Sequence, residues 1–283
     1  MAITRGETDV ILGKKARQAL ALILDLQGSP DLLSITKLSR RVGTNPSTIT
    51  RLARSLGYRG FGDFQKVLFD SSAAVPGAFY LNKVRDALTD SESTTRQRAA
   101  QLCHENQANI DRFVDAFDIE SFEKAVSMIT AAPRVSVCGI RQFHSLAAFL
   151  VYGLRLIRGD VAILNANALG AAEELSAMEA GDVCIVVTVA PYSREVVQIA
   201  KAASETGLSV IALTDLASSP LVNYADTTLF ASHQSSFISN SITSYFAVAE
   251  CLINAAALAS PERTERALEA RESSINRLDI EQE

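Results

Sequence analysis

Along the first third of the chain apolar positions recur every three or four residues, whereas from residue 134 onward they fall in short unbroken runs. The first pattern is that of amphipathic helices, the second that of buried strands. In residues 14–27, Ala16, Leu20, Ile23 and Leu24 share one helical face, and Gly28-Ser29-Pro30 ends the segment. A second helix is predicted over residues 35–42, with Ser34 or Thr36 near its start and Ile35, Leu38 and Val42 facing inward, and it stops at Gly43. After the turn Gly43-Thr44-Asn45, Asn45 supplies an N-cap and Pro46 a first helical residue. The run PSTITRLARSLG then continues as a helix with Ile49, Leu52, Ala53 and Leu56 inward. Helix, glycine turn and capped helix make the helix-turn-helix layout.

Residues 71–78, SSAAVPGA, read as a connector, residues 81–117 as charged and helical, and residues 119–131 as a helix stopped by Pro133. These helices could cover a sheet or pair between subunits; spacing leaves both open. Then strand-like runs alternate with helical patterns. RVSVCGI precedes a helix over residues 145–158, VAILN one over 170–179, and VCIVVTV one over 194–206; LSVIALT and DTTLFA follow, before a long helix over residues 241–259. Strands apolar along nearly their whole length are buried on both faces, which requires a parallel sheet covered by helices. The expected fold is a two-domain α plus α/β protein, with a five-stranded parallel sheet in the flavodoxin-like order 2-1-3-4-5. The expected division is residues 1–77 for the helix-turn-helix domain, 78–118 for a helical linker, 119–265 for the α/β domain and 266–283 for a helical tail.

Composition sharpens this division. The net charge of −5 conceals a basic module joined to an acidic one: residues 1–77 hold 11 Lys+Arg against 6 Asp+Glu, and the remainder 16 against 26. Within residues 37–66, Lys37, Arg40, Arg41, Arg51, Arg54, Arg59 and Lys66 face Asp63 alone. That surplus suits a phosphate-backbone partner. No run is apolar and long enough to span a membrane, and the N-terminus lacks a signal-peptide pattern, so a cytoplasmic location with no membrane partner is expected. Cys103, Cys138, Cys184 and Cys251 are too scattered for a metal or redox pair and are expected to be buried reduced thiols. No cofactor or metal motif occurs.

The outward face of the capped helix carries Ser47, Thr48, Thr50, Arg51 and Arg54. Hydroxyls near its start can reach bases or phosphates, Arg51 can fork onto guanine, and Arg54 or Arg59 can hold the backbone of a double-stranded operator; Asn45 completes the candidate interface. The stretch SITKLSRRVGTNPSTITRLARSLGYRGFGDFQKVL resembles the N-terminal domain of the RpiR family of transcriptional regulators, with Arg51, Leu56, Gly57, Tyr58, Gly60, Phe61 and Phe64 at the family's spacing. Asn45 stands where that family usually has serine, which keeps the capping chemistry.

In an open parallel sheet ligands gather at the carboxyl ends of the strands where the order reverses, here between strands one and three. The loops leaving them are GIRQFHS, residues 139–145, and TVAPYSRE, residues 188–195. They offer Arg141, Gln142, His144 and Ser145 on one side and Thr188, Tyr192, Ser193 and Arg194 on the other, and the helices behind them are expected to turn free N–H groups into the cleft. His233, after the fifth strand, is a further candidate, while His104 is expected to be exposed and Glu173 and Glu174 to be a solvated helix start.

This module resembles the sugar-isomerase (SIS) domain that follows the helix-turn-helix in RpiR-type regulators. The resemblance implies a phosphosugar held through "G-x-G-x-S" after the first strand and "S-x-S-G-x-T" after the third. Gly139, Thr188 and Ser193 match; Arg141 replaces the second glycine, Phe143 the first-loop serine, and Ala190-Pro191 the Ser-Gly pair. Proline has no N–H, so Arg141 and Arg194 are expected to serve as charged donors for a small anionic effector, a phosphosugar or a carboxylate. The expected function is a non-enzymatic, DNA-binding regulator acting as a dimer or tetramer. The alternatives are a sugar-phosphate isomerase with an accessory helical domain, or an effector sensor whose N-terminal module binds protein.

Overall fold

A computed structural model describes residues 12–26, 34–70, 83–84, 93–164 and 170–279. The connector expected at residues 71–78 and the helix stop at Gly28-Ser29-Pro30 lie outside them. The chain divides into two compact units, Met1–Arg85 and Asp86–Glu283.

The first unit is helical: α1 (Lys14–Asp25), α2 (Ile35–Arg41), α3 (Pro46–Ser55) and α4 (Phe61–Asp70). Its core joins Leu20 and Ile23 of α1, Leu38 of α2, Ile49, Leu52 and Ala53 of α3, and Phe64 of α4. Except for Phe64, these are inward positions that helical periodicity marks, while Ala16, Leu24, Ile35, Val42 and Leu56 pack at the margin of the core instead of its centre. The turn between α2 and α3 needs Gly43, whose φ of +66° is a left-handed conformation that a Cβ disfavours. Helix α4 went unread in the sequence because only Phe61 and Phe64 of its early residues face the core.

The second unit opens with α5 (Thr95–Asp115) and α6 (Ile119–Ala131) and continues β1 (Val135–Gly139), α7 (Phe143–Arg155), β2 (Val161–Ile163), α8 (Ala171–Ser176), β3 (Val183–Val187), α9 (Arg194–Glu205), β4 (Ser209–Thr214), β5 (Thr227–Phe230), α10 (Thr243–Ala259) and α11 (Pro261–Leu278). All strand pairings are parallel and the order is β2-β1-β3-β4-β5, as expected. Successive side chains on a strand point to opposite faces, and each face has its own core. Val135, Val137, Ile185 and Leu213 meet α6, α7 and α10 on one side. Cys138, Cys184, Val186 and Ala212 meet α9 on the other.

Three details depart from the sequence reading. Helix α5, expected to belong to a linker, packs against α10 inside the second unit. Helix α7 begins at Phe143 instead of residue 145, because Gly139 lets the helix start close against the strand: a Cβ there would lie 2.4 Å from the Phe143 carbonyl oxygen. Of the four thiols, Cys138 and Cys184 are buried but Cys103 and Cys251 are exposed on helix surfaces. No single helix among the described residues is long and apolar enough to cross a membrane.

Arg158 ties the second unit together below the sheet. Only 2% exposed, it donates to the carbonyls of Ile129, Ala132 and Pro133 and to Asp160, whose carboxylate also meets Arg263 of α11. A buried guanidinium is tolerable because every face of it has an acceptor.

Candidate functional site

In the first unit, the start of α3 is built as the sequence indicates. The Asn45 Oδ1 atom accepts from the Thr48 N–H at 2.9 Å, and also from the Ser47 and Thr48 hydroxyls at 2.7 and 2.9 Å. The Thr50 hydroxyl donates to the Pro46 carbonyl. Asn45, Ser47, Thr48 and Thr50 therefore already share hydrogen bonds within the helix. Arg51 and Arg54 are exposed on the same helix, Arg51 reaching Thr48 only at 3.4 Å, and among the described residues neither is in an ion pair. Arg59, outside the helix, forks onto Asp63 at 2.6 Å, so it is the one candidate arginine already neutralised.

In the second unit, the loops after β1 and β3 lie side by side because β1 and β3 are neighbours in register, Gly139 opposite Val187. Several of the N–H groups of these loops have acceptors within the protein. Phe143 N–H donates to Ile140 O and His144 N–H to Arg141 O, closing the start of α7 on itself. In the other loop Ala190 N–H donates to the Asp215 carboxylate at 3.1 Å and Ser193 N–H to the Thr188 hydroxyl at 3.0 Å, while Pro191 has none to give. Ser193 caps α9 through the Val196 N–H, and the Ser145 hydroxyl donates back to the Gln142 carbonyl. Arg141, His144 and Arg194 remain exposed at the rim. Arg141 holds a left-handed φ of +54°, a strained conformation for a residue with a Cβ, at a roughly 1–2 kcal/mol cost.

The interior of the site is made by residues outside the expected loops. Asp215 ends β4 with its side chain 4% exposed, accepting from the Ala190 N–H and from His233 Nε2 at 3.0 Å. Asn240 donates from Nδ2 to the Ala190 carbonyl at 3.1 Å. Ser239 donates to Gln142 Oε1 at 2.6 Å, so Gln142 and His233 do join the site but as partners of other side chains. Two buried atoms, His233 Nδ1 and Asn240 Oδ1, have no hydrogen-bond partner, and the buried Tyr192 hydroxyl lies beside Asp215 without a hydrogen bond of good geometry. Only the position of Asp215 at a strand's carboxyl end could have flagged it in the sequence; Ser239 and Asn240 carry no spacing signal.

Burial works against charge on Asp215, yet the His233 hydrogen bond and charge, the Ala190 N–H and the Tyr192 hydroxyl outweigh it and hold the carboxyl below its ordinary value. Burial, with the nearby carboxylate, pushes the Tyr192 phenol up, so it stays a neutral hydroxyl. Burial and the charge of Glu195 push the Cys138 thiol up to about 12, and burial raises Cys184 further, so neither is a nucleophile.

The segment between β5 and α10 is held from outside by α5. The Glu105 carboxylate accepts from the Ser236 N–H and hydroxyl at 2.6 and 2.7 Å, Asn106 accepts from Ser241, and the fully buried Asn109 donates to the Gln234 carbonyl at 2.9 Å. Through Ser239 and Asn240 the same segment grips the loops after β1 and β3.

Residues 128–255 match the SIS domain family model. The structure is similar to that of an RpiR transcription factor from Sphaerobacter thermophilus (sugar isomerase domain), with 28% identity and a TM-score of 0.60 over 62% of this chain and 99% of that one. It also shares the fold of the Vibrio vulnificus NanR protein, solved in complex with ManNAc-6P, at 20% identity and a TM-score of 0.61 over 98% of each chain.

Proposed function

We propose that this chain, which carries a SIS domain over residues 128–255 and has the make-up of an RpiR-type regulator, is a DNA-binding transcriptional regulator that senses a small carbohydrate-derived metabolite. The observation that carries the reading is the pairing of two sites in one chain. A capped helix α3 presents Ser47, Arg51 and Arg54 to solvent, and a SIS domain gathers polar groups at the carboxyl ends of β1, β3 and β4. Arg51 and Arg54 are the DNA-reading candidates, with Asn45, Ser47, Thr48, Thr50 and Arg59 as supporting contacts. Arg141, His144 and Arg194 would meet any anionic group, phosphate or carboxylate, that the effector carries. A homo-oligomer, dimer or tetramer, supplies the second recognition helix that a palindromic operator needs.

Helix α5 offers a physical route for the signal. It holds the Gln234–Ser241 stretch by Glu105, Asn106 and Asn109, and it is the first long helix after the division at Arg85. An effector that moves Ser239 or Asn240 would pull on α5. The coupling needs two states of this segment with different affinities for the effector.

The test is fluorescence anisotropy of the purified chain with DNA from upstream of its own gene and with scrambled DNA, at several salt concentrations. Selective, salt-dependent binding that a metabolite pool alters supports the regulator. Equal, weak binding to both DNAs overturns it. A second reading, sugar isomerase, draws on the Asp215–His233 pair, since an imidazole oriented by a buried carboxylate can move a proton between adjacent carbons. Exchange of solvent deuterium into sugar phosphates by wild type but not His233→Ala would favour it.

A further inference from the structure

We propose that a groove on the second unit, between α7, the edge strand β2 and α11, binds an amphiphilic carboxylate: a small fatty or arylalkanoic acid, apolar in its body and anionic at one end. The groove lies apart from the loops after β1 and β3. Those loops adjoin the start of α7, whereas the groove follows its second half as far as Arg155, roughly 18 Å along the helix at 1.5 Å per residue.

The groove has a volume of about 370 Å³, within the roughly 300–1,000 Å³ of ordinary ligand pockets. Its walls are mostly apolar: Val151 and Tyr152 of α7, Leu156 just beyond, and Ile163 of β2. A sugar would find few partners for its hydroxyls there. Two cations break the pattern, Arg155 at the end of α7 and Arg271 on α11. Arg155 donates through Nε to the Val161 carbonyl at 2.8 Å, and among the described residues neither arginine is in an ion pair. The sequence explains why. Helix α7 contains no Asp or Glu, and the residues three and four places from Arg271 are Ala267, Leu268, Ser274 and Ile275. Asp160, just before β2, is already shared by Arg158 at 2.5 Å and Arg263 at 3.2 Å. Two guanidinium groups beside an apolar wall match a ligand with a carboxylate head and an apolar body.

Helix α11 is the second sign. It is anchored at its first turn by Arg263 on Asp160 and by the Thr264 hydroxyl on the Ala257 carbonyl, yet none of its 18 residues is buried. Leu268 is 39% exposed, and Leu268, Arg271 and Ile275 follow one another along a single face. A helix draws most of its stability from packing an apolar face, and Arg271 sets this face at the groove. An acyl or aryl body there gives the face a partner while Arg271 meets the carboxylate. A second copy of the chain is a poorer occupant. Two copies joined groove to groove about a two-fold axis would set four guanidinium groups together.

The experiment is calorimetry on the full chain with octanoate, decanoate and 3-phenylpropanoate, each beside its uncharged alcohol and below micelle-forming concentration. The expected result is one equivalent of an acid bound per chain, with the matching alcohol at least about tenfold weaker, the scale of one charged hydrogen bond. Amide exchange in α11 should slow on binding. Arg271→Met, which keeps the apolar stem of an exposed side chain, should weaken the acid by about tenfold and leave the alcohol unchanged. Tyr152→Glu, also at an exposed position, places a carboxylate in the groove and should abolish acid binding. Each variant is checked by circular dichroism and by light scattering. No acid bound, an acid no tighter than its alcohol, or an acid held by both variants as tightly as by wild type overturns the proposal. So does a wild-type oligomer that binds no acid and dissociates in Tyr152→Glu, which assigns the groove to a second copy.

Discussion

On α3, Arg51 and Arg54 stand exposed on a helix whose first turn is capped by the Asn45 amide oxygen and braced by hydroxyls, whereas at the carboxyl ends of β1 and β3 several backbone donors are consumed by neighbouring groups of the protein. Both regions look alike as strings of Ser, Thr and Arg. They differ because a helix satisfies its backbone internally and leaves its outer side chains open, while a loop must recruit side chains to satisfy its own N–H and C=O groups. A polar residue on a helix face is thus a better candidate for an external partner than the same residue in a loop.

The largest expected effect tests whether internal satisfaction is what holds the second unit. Arg158→Ala removes the donor shared by Ile129, Ala132, Pro133 and Asp160, leaving buried acceptors and a carboxylate unpaired. It should destabilise the unit by roughly 3–5 kcal/mol, read by denaturant unfolding. Amide exchange should accelerate in α6, β1 and β2 but not in α3. A wild-type midpoint would mean that other contacts, such as Arg263 with Asp160, carry that corner of the fold.

Next comes the open face. Arg51→Ala should cost roughly 1–3 kcal/mol in affinity for a cognate operator, while Arg141→Ala, equally exposed but on a loop of the other unit, should leave DNA affinity unchanged. Equal losses from both would erase the distinction between the two regions, and no loss from Arg51→Ala would remove it from the interface.

Much of the fold was legible in the sequence. The apolar runs gave the five strands and their parallel pairing, because buried strands and helix faces are written in local periodicity, while the 2-1-3-4-5 order rests on the flavodoxin-like precedent, since parallel pairing alone admits other orders. The Asn45-Pro46 start of α3 was equally plain, since capping is a contact between residues three apart. The interior of the SIS cleft was not legible. Asp215, Ser239 and Asn240 reach Ala190 and Gln142 across 25 to 97 positions of chain, and no local pattern encodes such a meeting. The Ala190 N–H was not legible for the same reason: its acceptor, Asp215, follows another strand.

A smaller effect isolates the cap. Asn45→Ala deletes one acceptor that serves three donors at the start of α3, and should lower the stability of the first unit by about 1 kcal/mol. Asn45→Ser, which restores the residue usual in the resembling family, should recover most of it in the same thermal melt. If Asn45→Ala melts as wild type, the turn holds through Pro46 and Gly43 alone.

The smallest effect appears only in acid, and it separates the two units again. Asp215 and Asp160 both have carboxyls held below their ordinary value; burial opposes this at each, and hydrogen bonds and charge from His233 and from Arg158 respectively prevail. A carboxyl with a lowered folded-state value contributes stability that is complete above the ordinary carboxylate range, near about pH 4, and is lost as pH falls toward the lowered value. Denaturant unfolding between about pH 6 and pH 3 should therefore show the second unit weakening below about pH 4. Asp215→Asn, which cannot titrate, should flatten part of that slope while lowering stability at neutral pH. The first unit, in which Arg59 and Asp63 form an exposed pair, should show little of it. An unchanged slope in Asp215→Asn would place the acid sensitivity elsewhere, and Asp160→Asn would then be the variant that locates it.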